Sequence, residues 1–174
     1  MTNTHRNDLS KIEVESLRGM LDYEKETGVF RWKKHTSNSC RKKVGSVAGG
    51  ADGHGYTRIK ILGTMYMAHR LAWLYETGLP PEFEIDHING DRSDNRFCNL
   101  RDVSKSINSQ NTHAARRDNS TGMLGVYKRS SHKKFYSAIR VEGKLLSLGY
   151  FDSKELAHDA YLSAKRKLHA GCTI

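Results

Sequence analysis

The stretch from residue 84 to residue 95 constrains the fold more than any other part of the chain. It reads Glu-Ile-Asp-His-Ile-Asn-Gly-Asp-Arg-Ser-Asp-Asn, a short apolar entry followed by Asp86, His87 and a turn-rich loop. A second short apolar stretch and a polar segment come next. This order predicts a strand, a loop, a second strand and a helix. Such a unit could bring Asp86, His87, Asn99 and Asn108 together.

These residue types suit the hydrolysis of a phosphodiester. The carboxylate of Asp86 and the amide oxygen of Asn108 are ligands that favour Mg²⁺, or Mn²⁺, over Zn²⁺. A divalent cation neutralises the phosphate and stabilises the leaving oxygen, and a neutral histidine such as His87 can accept a proton from water. Neighbouring strand residues point to opposite sides, so Asp86 and His87 converge only if the strand bends. The Asn89-Gly90 pair directly after them permits a bend.

Two other interpretations of the loop come from the residues alone. Asn89, Asp91 and Ser93 have the first three spacings of a calcium-binding hand, but the sixth position is Asp94 and the twelfth is Leu100, which excludes that motif. A purely structural hairpin rich in Asx turns, with a surface histidine, is the other alternative.

Charge is unevenly distributed along the chain. The 174 residues contain 29 Lys or Arg and 19 Asp or Glu, a net charge of +10. Residues 77–113 hold four basic and six acidic side chains, whereas residues 114–174 hold twelve and five. Basic flanks around an acidic centre indicate a bound polyanion with a cation between, although a solubilising surface is the alternative.

Several classes of protein are disfavoured by what the sequence lacks. No run of about 18 apolar residues predicts a membrane span, and the N-terminus has no signal-peptide pattern, so an intracellular protein is expected. The three cysteines are far apart and form no CxxC pair, which argues against a zinc site built on cysteine.

The remaining pattern predicts a chain of short elements. A helix over residues 9–23 with a capping box at Ser10 and Glu13 comes first, and a basic loop over residues 33–43 follows a short strand. Further on, the predicted elements are a hairpin (56–61 and 65–67), a helix (68–77), a polar linker (114–122), three strands (125–129, 135–141 and 145–151) and a closing helix (153–168).

The central motif resembles a known family. Asp86-His87-Ile88-Asn89-Gly90-Asp91, Asp94-Asn95, Asn99-Leu100-Arg101 and Asn108 are similar to the HNH endonucleases of bacteriophages, including homing endonucleases, over about residues 25–112. The resemblance implies a ββα-metal fold, with His87 as general base and Asp86 and Asn108 holding one metal. It also implies that Asn99 braces the loop and orients the histidine. The last motif position is often histidine in the family, so Asn108 favours an oxygen-liganded metal.

A second resemblance covers about residues 119–171. Its short strands and alanine-rich helix are similar to the plant ethylene-response-factor DNA-binding domain, in which one sheet face lies in the major groove. The positions that match the DNA-facing ones are Tyr127, Arg129, Ala138, Arg140, Leu145 and Ser147. Further basic residues expected to contact DNA are Arg116, Arg117, Lys133, Lys134, Arg58 and Lys60.

Together these arguments predict an α+β protein with a nuclease module over residues 1–113, whose ββα-metal core spans about 83–112, and a DNA-binding module over residues 123–174. The expected function is Mg²⁺-dependent cleavage of double-stranded DNA by a phage homing-type or nicking enzyme in the cytoplasm of a bacterial host. A single Asp-His pair and the lack of a dimer seam predict a monomer that nicks one strand. The alternative is a non-catalytic DNA-binding regulatory protein with a vestigial nuclease module.

Overall fold

The computed structural model describes residues 9–34 and 43–174. It has mixed α and β structure, with four α-helices and several small antiparallel sheets in the described residues. Its contacts divide the chain into two compact units, one ending at Val103 and the other running from Ser104 to Ile174. None of the described helices has the length and apolar character needed to cross a bilayer.

The first unit is built from short elements around one core. Its elements are a 3-10 turn (Leu9–Lys11), α1 (Val14–Met20), β1 (Leu21–Glu24), β2 (Val29–Trp32), β3 (Gly50–Ala51), β4 (Thr57–Ile61), β5 (Thr64–Met67), α2 (Ala68–Thr77), β6 (Glu84–His87), a 3-10 turn (Phe97–Asn99) and β7 (Leu100–Val103). These strands form three sheets: β1 with β2, β3-β4-β5, and β6 with β7. Leu17, Leu21, Phe30, Ile59 and Leu71 are almost completely buried in the shared core.

The predicted helix over residues 9–23 is wrong in its extent. Helix α1 begins only at Val14, and the Glu13 side chain makes no capping hydrogen bond. The chain turns into β1 at Leu21, where Leu21 and Tyr23 point inward while Asp22 and Glu24 stay exposed. Buried and exposed side chains alternate over these four residues, as in a strand, so the helix ends about one turn before its predicted end at residue 23. Much of the predicted basic loop (35–42) lies outside the described residues.

Helix α2 agrees with its prediction at both ends. It begins at Ala68, directly after β5, and ends at Thr77, and the next residue, Gly78, adopts a left-handed conformation with φ of 75°. Glycine takes this conformation without the steric cost of a Cβ, which explains the stop. The helix buries Ala68, His69, Leu71, Ala72 and Leu74.

The hairpin of β6 and β7 carries the central motif. Asp86 pairs with Arg101 and His87 with Leu100 in antiparallel register, and the loop of residues 88–96 joins the two strands through a 3-10 turn. Strand β6 is short, yet Ile85, Asp86 and His87 are all buried. Buried polar groups at consecutive positions must each find a partner.

The second unit is a three-stranded sheet with two helices. Its elements are α3 (Lys105–Gln110), β8 (Val126–Lys128), β9 (Phe135–Val141), β10 (Lys144–Phe151) and α4 (Lys154–Leu168). The sheet order is β10-β9-β8, and every pairing is antiparallel. Ser153 caps α4 by accepting a hydrogen bond from the Leu156 amide, as its position before the helix predicts.

Helix α3, which carries Asn108, is tied to the C-terminal end of this second unit. The Gly171 amide donates to Gln110 Oε1 at 3.0 Å, and Thr173 Oγ1 lies 2.5 Å from Asn111 Oδ1. A Cβ on Gly171 would come within 2.3 Å of the Ile107 carbonyl oxygen. The compact units separate before α3, at Val103, and the linker that the sequence suggests at residues 114–122 stays a prediction.

Candidate nuclease site

Asp86 is a buried carboxylate held by an arginine across the hairpin. Its side chain is 8% exposed, and its Oδ2 accepts from Arg101 Nε at 2.9 Å and Nη2 at 2.8 Å. The two residues face each other in the β6–β7 register, which aligns the guanidinium with the carboxylate. This pairing fixes the orientation of Asp86 and compensates its charge.

His87 is held by Asn95 from the far end of the loop. His87 Nε2 lies 3.3 Å from Asn95 Oδ1, and the Asn95 amide nitrogen donates to the Ser93 carbonyl at 3.2 Å. The hydrogen bond to Ser93 sets the orientation of the Asn95 side-chain amide, because a flipped amide would place Asn95 Oδ1 against the Ser93 carbonyl oxygen. An oxygen facing Nε2 requires a proton on Nε2. The lone pair of the neutral ring is therefore on Nδ1.

Two other aromatic side chains form the wall around the His87 ring. The His69 ring packs edge-on with a centroid distance of 5.0 Å, and the Tyr56 ring lies 6.1 Å away. The ring centroids of Tyr56 and His69 are 5.4 Å apart, and the Arg92 guanidinium lies over the Tyr56 ring, 4.9 Å from its centroid. His87 thus lies among rings contributed by α2 and by the segment before β4.

This environment keeps both histidines neutral at pH 7. Burial lowers the pKa of His87 below its ordinary value, against the opposing effects of the Asn95 hydrogen bond and of nearby carboxylates. Burial and the neighbouring His87 and Arg70 lower the pKa of His69 to about 3. Within the described residues, the buried His69 Nδ1 has no hydrogen-bond partner. A neutral His87 is the form that can accept a proton.

Asn99 braces the loop that carries these groups. Its Oδ1 accepts from the Asn89 amide at 3.0 Å and its Nδ2 donates to the Asp94 carbonyl at 2.8 Å. Asp94 in turn holds Arg96 through two short side-chain hydrogen bonds. The geometry supports the predicted bracing role, whereas the hydrogen bond at His87 Nε2 comes from Asn95.

The hairpin of β1 and β2 supports Asn95 from behind. The Tyr23 hydroxyl donates to the Asn95 carbonyl at 2.7 Å, and burial raises the pKa of Tyr23, which keeps this hydroxyl protonated. Gly28, with φ of 74°, lies so close that a Cβ there would approach the Asn95 carbonyl carbon to 2.5 Å. A side chain at Gly28 would therefore push the Asn95 segment away from His87.

The predicted metal ligands are on different units of the chain. Asp86 is in the first unit, while Asn108 lies half-buried on α3 of the second unit. Within the described residues, no group of three or more His, Cys, Asp or Glu side chains is arranged to hold a metal. The predicted ligand set has only one such side chain, Asp86, together with the amide of Asn108, so this absence does not bear on it. Mg²⁺ often takes only one or two protein ligands together with substrate phosphates, so the donor types fit it. A cation at Asp86 would share the carboxylate with Arg101.

Most of the predicted DNA-facing positions of the second unit share one sheet face. Tyr127 pairs with Tyr136, Arg140 with Leu145 and Ala138 with Ser147, and residues two apart on a strand point the same way. Ala138 itself is only 2% exposed, so it is not available for a base contact in this structure. Arg116, Tyr127 and Arg140 also line one cleft of this unit.

The other predicted basic contacts have varied surroundings. Arg116, Arg117, Arg129 and Lys133 are exposed, while Lys134 pairs with Asp152 at 3.1 Å on the surface. In the first unit, Arg58 and Lys60 alternate with the buried Ile59 and Ile61 as predicted. Arg58 pairs with Asp52 at 2.9 Å, so its charge is already partly compensated.

Sequence reasoning missed Asn95, Arg101 and Tyr56 as parts of the site. Asn95 and Arg101 both stand within the motif. An amide can hydrogen-bond to a histidine and a cation can pair with a carboxylate, so their residue types were a signal that they hold His87 and Asp86. Tyr56 had no such signal, because it lies after a glycine-rich segment far from the motif. Only the tertiary packing brings its ring to His87.

A family model described as HNH endonuclease matches residues 66–110, which include β6, the loop, β7 and α3. No curated protein and no solved structure matches the chain.

Proposed function

We propose that this chain is a metal-dependent endonuclease that hydrolyses a phosphodiester of double-stranded DNA, with His87 as the general base. The observation that carries the proposal is the coincidence of the HNH endonuclease match with a buried, neutral His87 whose tautomer is fixed by Asn95. Phage origin and a homing or nicking role are parts of the same proposal, and rest on the motif resemblance.

In this mechanism His87 Nδ1 takes the proton of the attacking water. Nε2 donates to Asn95 Oδ1 throughout, so the imidazolium that forms keeps a hydrogen bond to a neutral acceptor. The carboxylate of Asp86 and the amide oxygen of Asn108 are the proposed ligands of Mg²⁺, with Mn²⁺ as the alternative. Bound there, the cation would neutralise the phosphate and stabilise the leaving oxygen.

The second unit is proposed to hold the duplex. Its residues 114–174 carry twelve Lys or Arg against five Asp or Glu, and Arg129 and Arg140 lie with Tyr127 on or beside one sheet face. Contacts with phosphates give affinity without sequence preference, and contacts with base edges give specificity. The resemblance of this segment to the plant DNA-binding domain supports the assignment.

A plasmid assay tests the function directly. Supercoiled plasmid at low salt, where phosphate contacts are strongest, should pass to open circle in Mg²⁺ and stay intact with a chelator. A monomer with one Asp-His pair should give linear product only late. Prompt linear product with a dimer mass in solution would refute the nicking monomer, and plasmid that is bound but never cut in Mg²⁺ or Mn²⁺ would favour the non-catalytic alternative.

Asn95 gives a prediction about how His87 is positioned. Asn95→Ala removes the acceptor at Nε2, so both tautomers of His87 become populated and fewer molecules present Nδ1 as the base. We expect a loss of about 10–100-fold in the rate of cleavage, as for other residues that orient a functional histidine through its second nitrogen. The KM for DNA should change little, because Asn95 is 3% exposed and far from solvent.

Asn95→Asp is the matched variant, since it keeps an acceptor at Nε2 and adds a negative charge. That charge favours the protonated imidazole, so cleavage should partly recover and need a higher pH than in the natural chain. Equal losses in the two variants, with unchanged pH profiles, would show that Asn95 has only a packing role.

A further inference from the structure

The second unit carries a row of tyrosines that crosses all three strands of its sheet. Tyr127 of β8 is paired with Tyr136 of β9, and Tyr136 with Tyr150 of β10. Directly paired residues of antiparallel strands point to the same face. The ring centroids are 6.3 Å apart for the first pair and 5.1 Å for the second, and the His132 ring lies 5.2 Å from the Tyr150 ring.

This row lies on the sheet face opposite α4. Ser137 and Ile139 alternate with Tyr136 along β9 and are buried, as are Ala157 and Tyr161 of α4. By contrast, Tyr127 is 47% exposed and Tyr150 is 44% exposed. Side chains that served only to pack the sheet would be covered, so these rings have exposed surface left for a ligand.

The surroundings of the row are strongly basic. Between residues 126 and 150 there are six Lys or Arg and one Glu. The Arg129 guanidinium lies 5.1 Å from the centre of the Tyr136 ring, and Arg140 follows Tyr136 on the same face. Aromatic rings on a sheet among cations are the combination that binds single-stranded nucleic acid, by base stacking and phosphate contacts.

We propose that Tyr127, Tyr136 and Tyr150 form a stacking surface for the unpaired bases of single-stranded DNA. Adjacent rings of the row lie 5.1–6.3 Å apart, one on each strand of the sheet. A base can stack on such a ring only where one of its faces is free, and inside a duplex both faces are covered by the neighbouring base pairs. This activity is separate from cleavage and is a further use of the sheet face to which duplex contacts are assigned above.

Binding to a labelled single strand tests the proposal with the full chain. The probe is a fluorescein-labelled oligothymidylate of about 16 nucleotides, within the range bound by known single-strand modules, and the readout is fluorescence anisotropy with a chelator present. Tyr127→Ala and Tyr150→Ala should each weaken binding by about 5- to 150-fold, the range expected for the loss of one stacked base. Tyr150 is outside the positions assigned to duplex contact, so Tyr150→Ala should change the affinity for a duplex of equal length by less than about two-fold.

Two controls separate stacking from general surface effects. Tyr127→Phe and Tyr150→Phe keep the ring and should bind like the natural chain. Leu156→Ala removes an apolar side chain of similar exposure, 55%, from α4 and should also have no effect. Circular dichroism of each variant checks that the sheet is intact.

Three results would overturn the proposal. The first is equal weakening of single-strand and duplex binding by Tyr150→Ala. The second is single-strand binding that the alanine variants leave unchanged. The third is tighter binding of oligouridylate than of oligothymidylate, which would assign the tyrosine row to RNA.

Discussion

Replacing His87 by alanine should lower the rate of DNA cleavage by about 10²–10⁴-fold, the usual contribution of a positioned general base. The neighbouring imidazole, His69, would be a poor replacement as a base, because burial lowers its pKa to about 3. DNA affinity should stay within a few-fold, because one neutral imidazole contributes little to binding dominated by phosphate contacts. Single-turnover cleavage and an anisotropy titration measure the two quantities separately.

His54→Ala is the matched control for this variant. His54 is an exposed histidine of the same unit, so its removal should leave cleavage unchanged. Near-natural cleavage by purified His87→Ala would remove His87 from its proposed role.

Asp86→Asn should abolish detectable cleavage and also destabilise the first unit. The variant keeps the shape of the side chain but loses the negative charge, and with it both the strong cation ligand and the partner of Arg101. Breaking a buried pair by removing one charge costs about 3–5 kcal/mol, and somewhat less here because the Arg101 side chain is 25% exposed. Urea denaturation gives the loss of stability, and excess Mg²⁺ should not restore cleavage.

A second substitution separates the two effects of Asp86. In the Asp86→Asn background, Arg101→Met removes the cation that has lost its partner, and stability should recover by a measurable fraction of the loss. Cleavage should remain absent, because the ligand carboxylate is still missing. Recovery of cleavage together with stability would mean that Asp86 acts only as a structural partner of Arg101.

Where local patterns decided the structure, the sequence was sufficient. Helix α2 and its stop at Gly78, the β4–β5 hairpin and the capped helix α4 all follow from periodicity, glycine and a serine cap. The predicted strands of the second unit lie within a residue or two of β8, β9 and β10. In each case the residues that set the element are neighbours along the chain.

Where an element or a contact depends on residues far apart along the chain, the sequence was not sufficient to predict it. The periodicity of residues 9–23 allowed one helix, but Leu21 and Tyr23 pair with Trp32 and Phe30 and become a strand. A pairing of this kind depends on the whole core. The partner of His87 was missed for a related reason: several amides of the motif could have reached the ring, and only the folded loop distinguishes Asn95 from Asn99.

The close approach of Gly28 and Tyr23 to Asn95 also bears on what can be transplanted. The segment that matches the family model, residues 66–110, contains Asp86, His87 and Asn95, but not the hairpin behind Asn95. Grafted onto another scaffold, this segment would keep the proposed catalytic groups and lose the surface that keeps Asn95 against the His87 ring. A segment that keeps Asn95 in place on another scaffold would have to begin before Leu21, and the turn at Gly28 would have to keep its glycine.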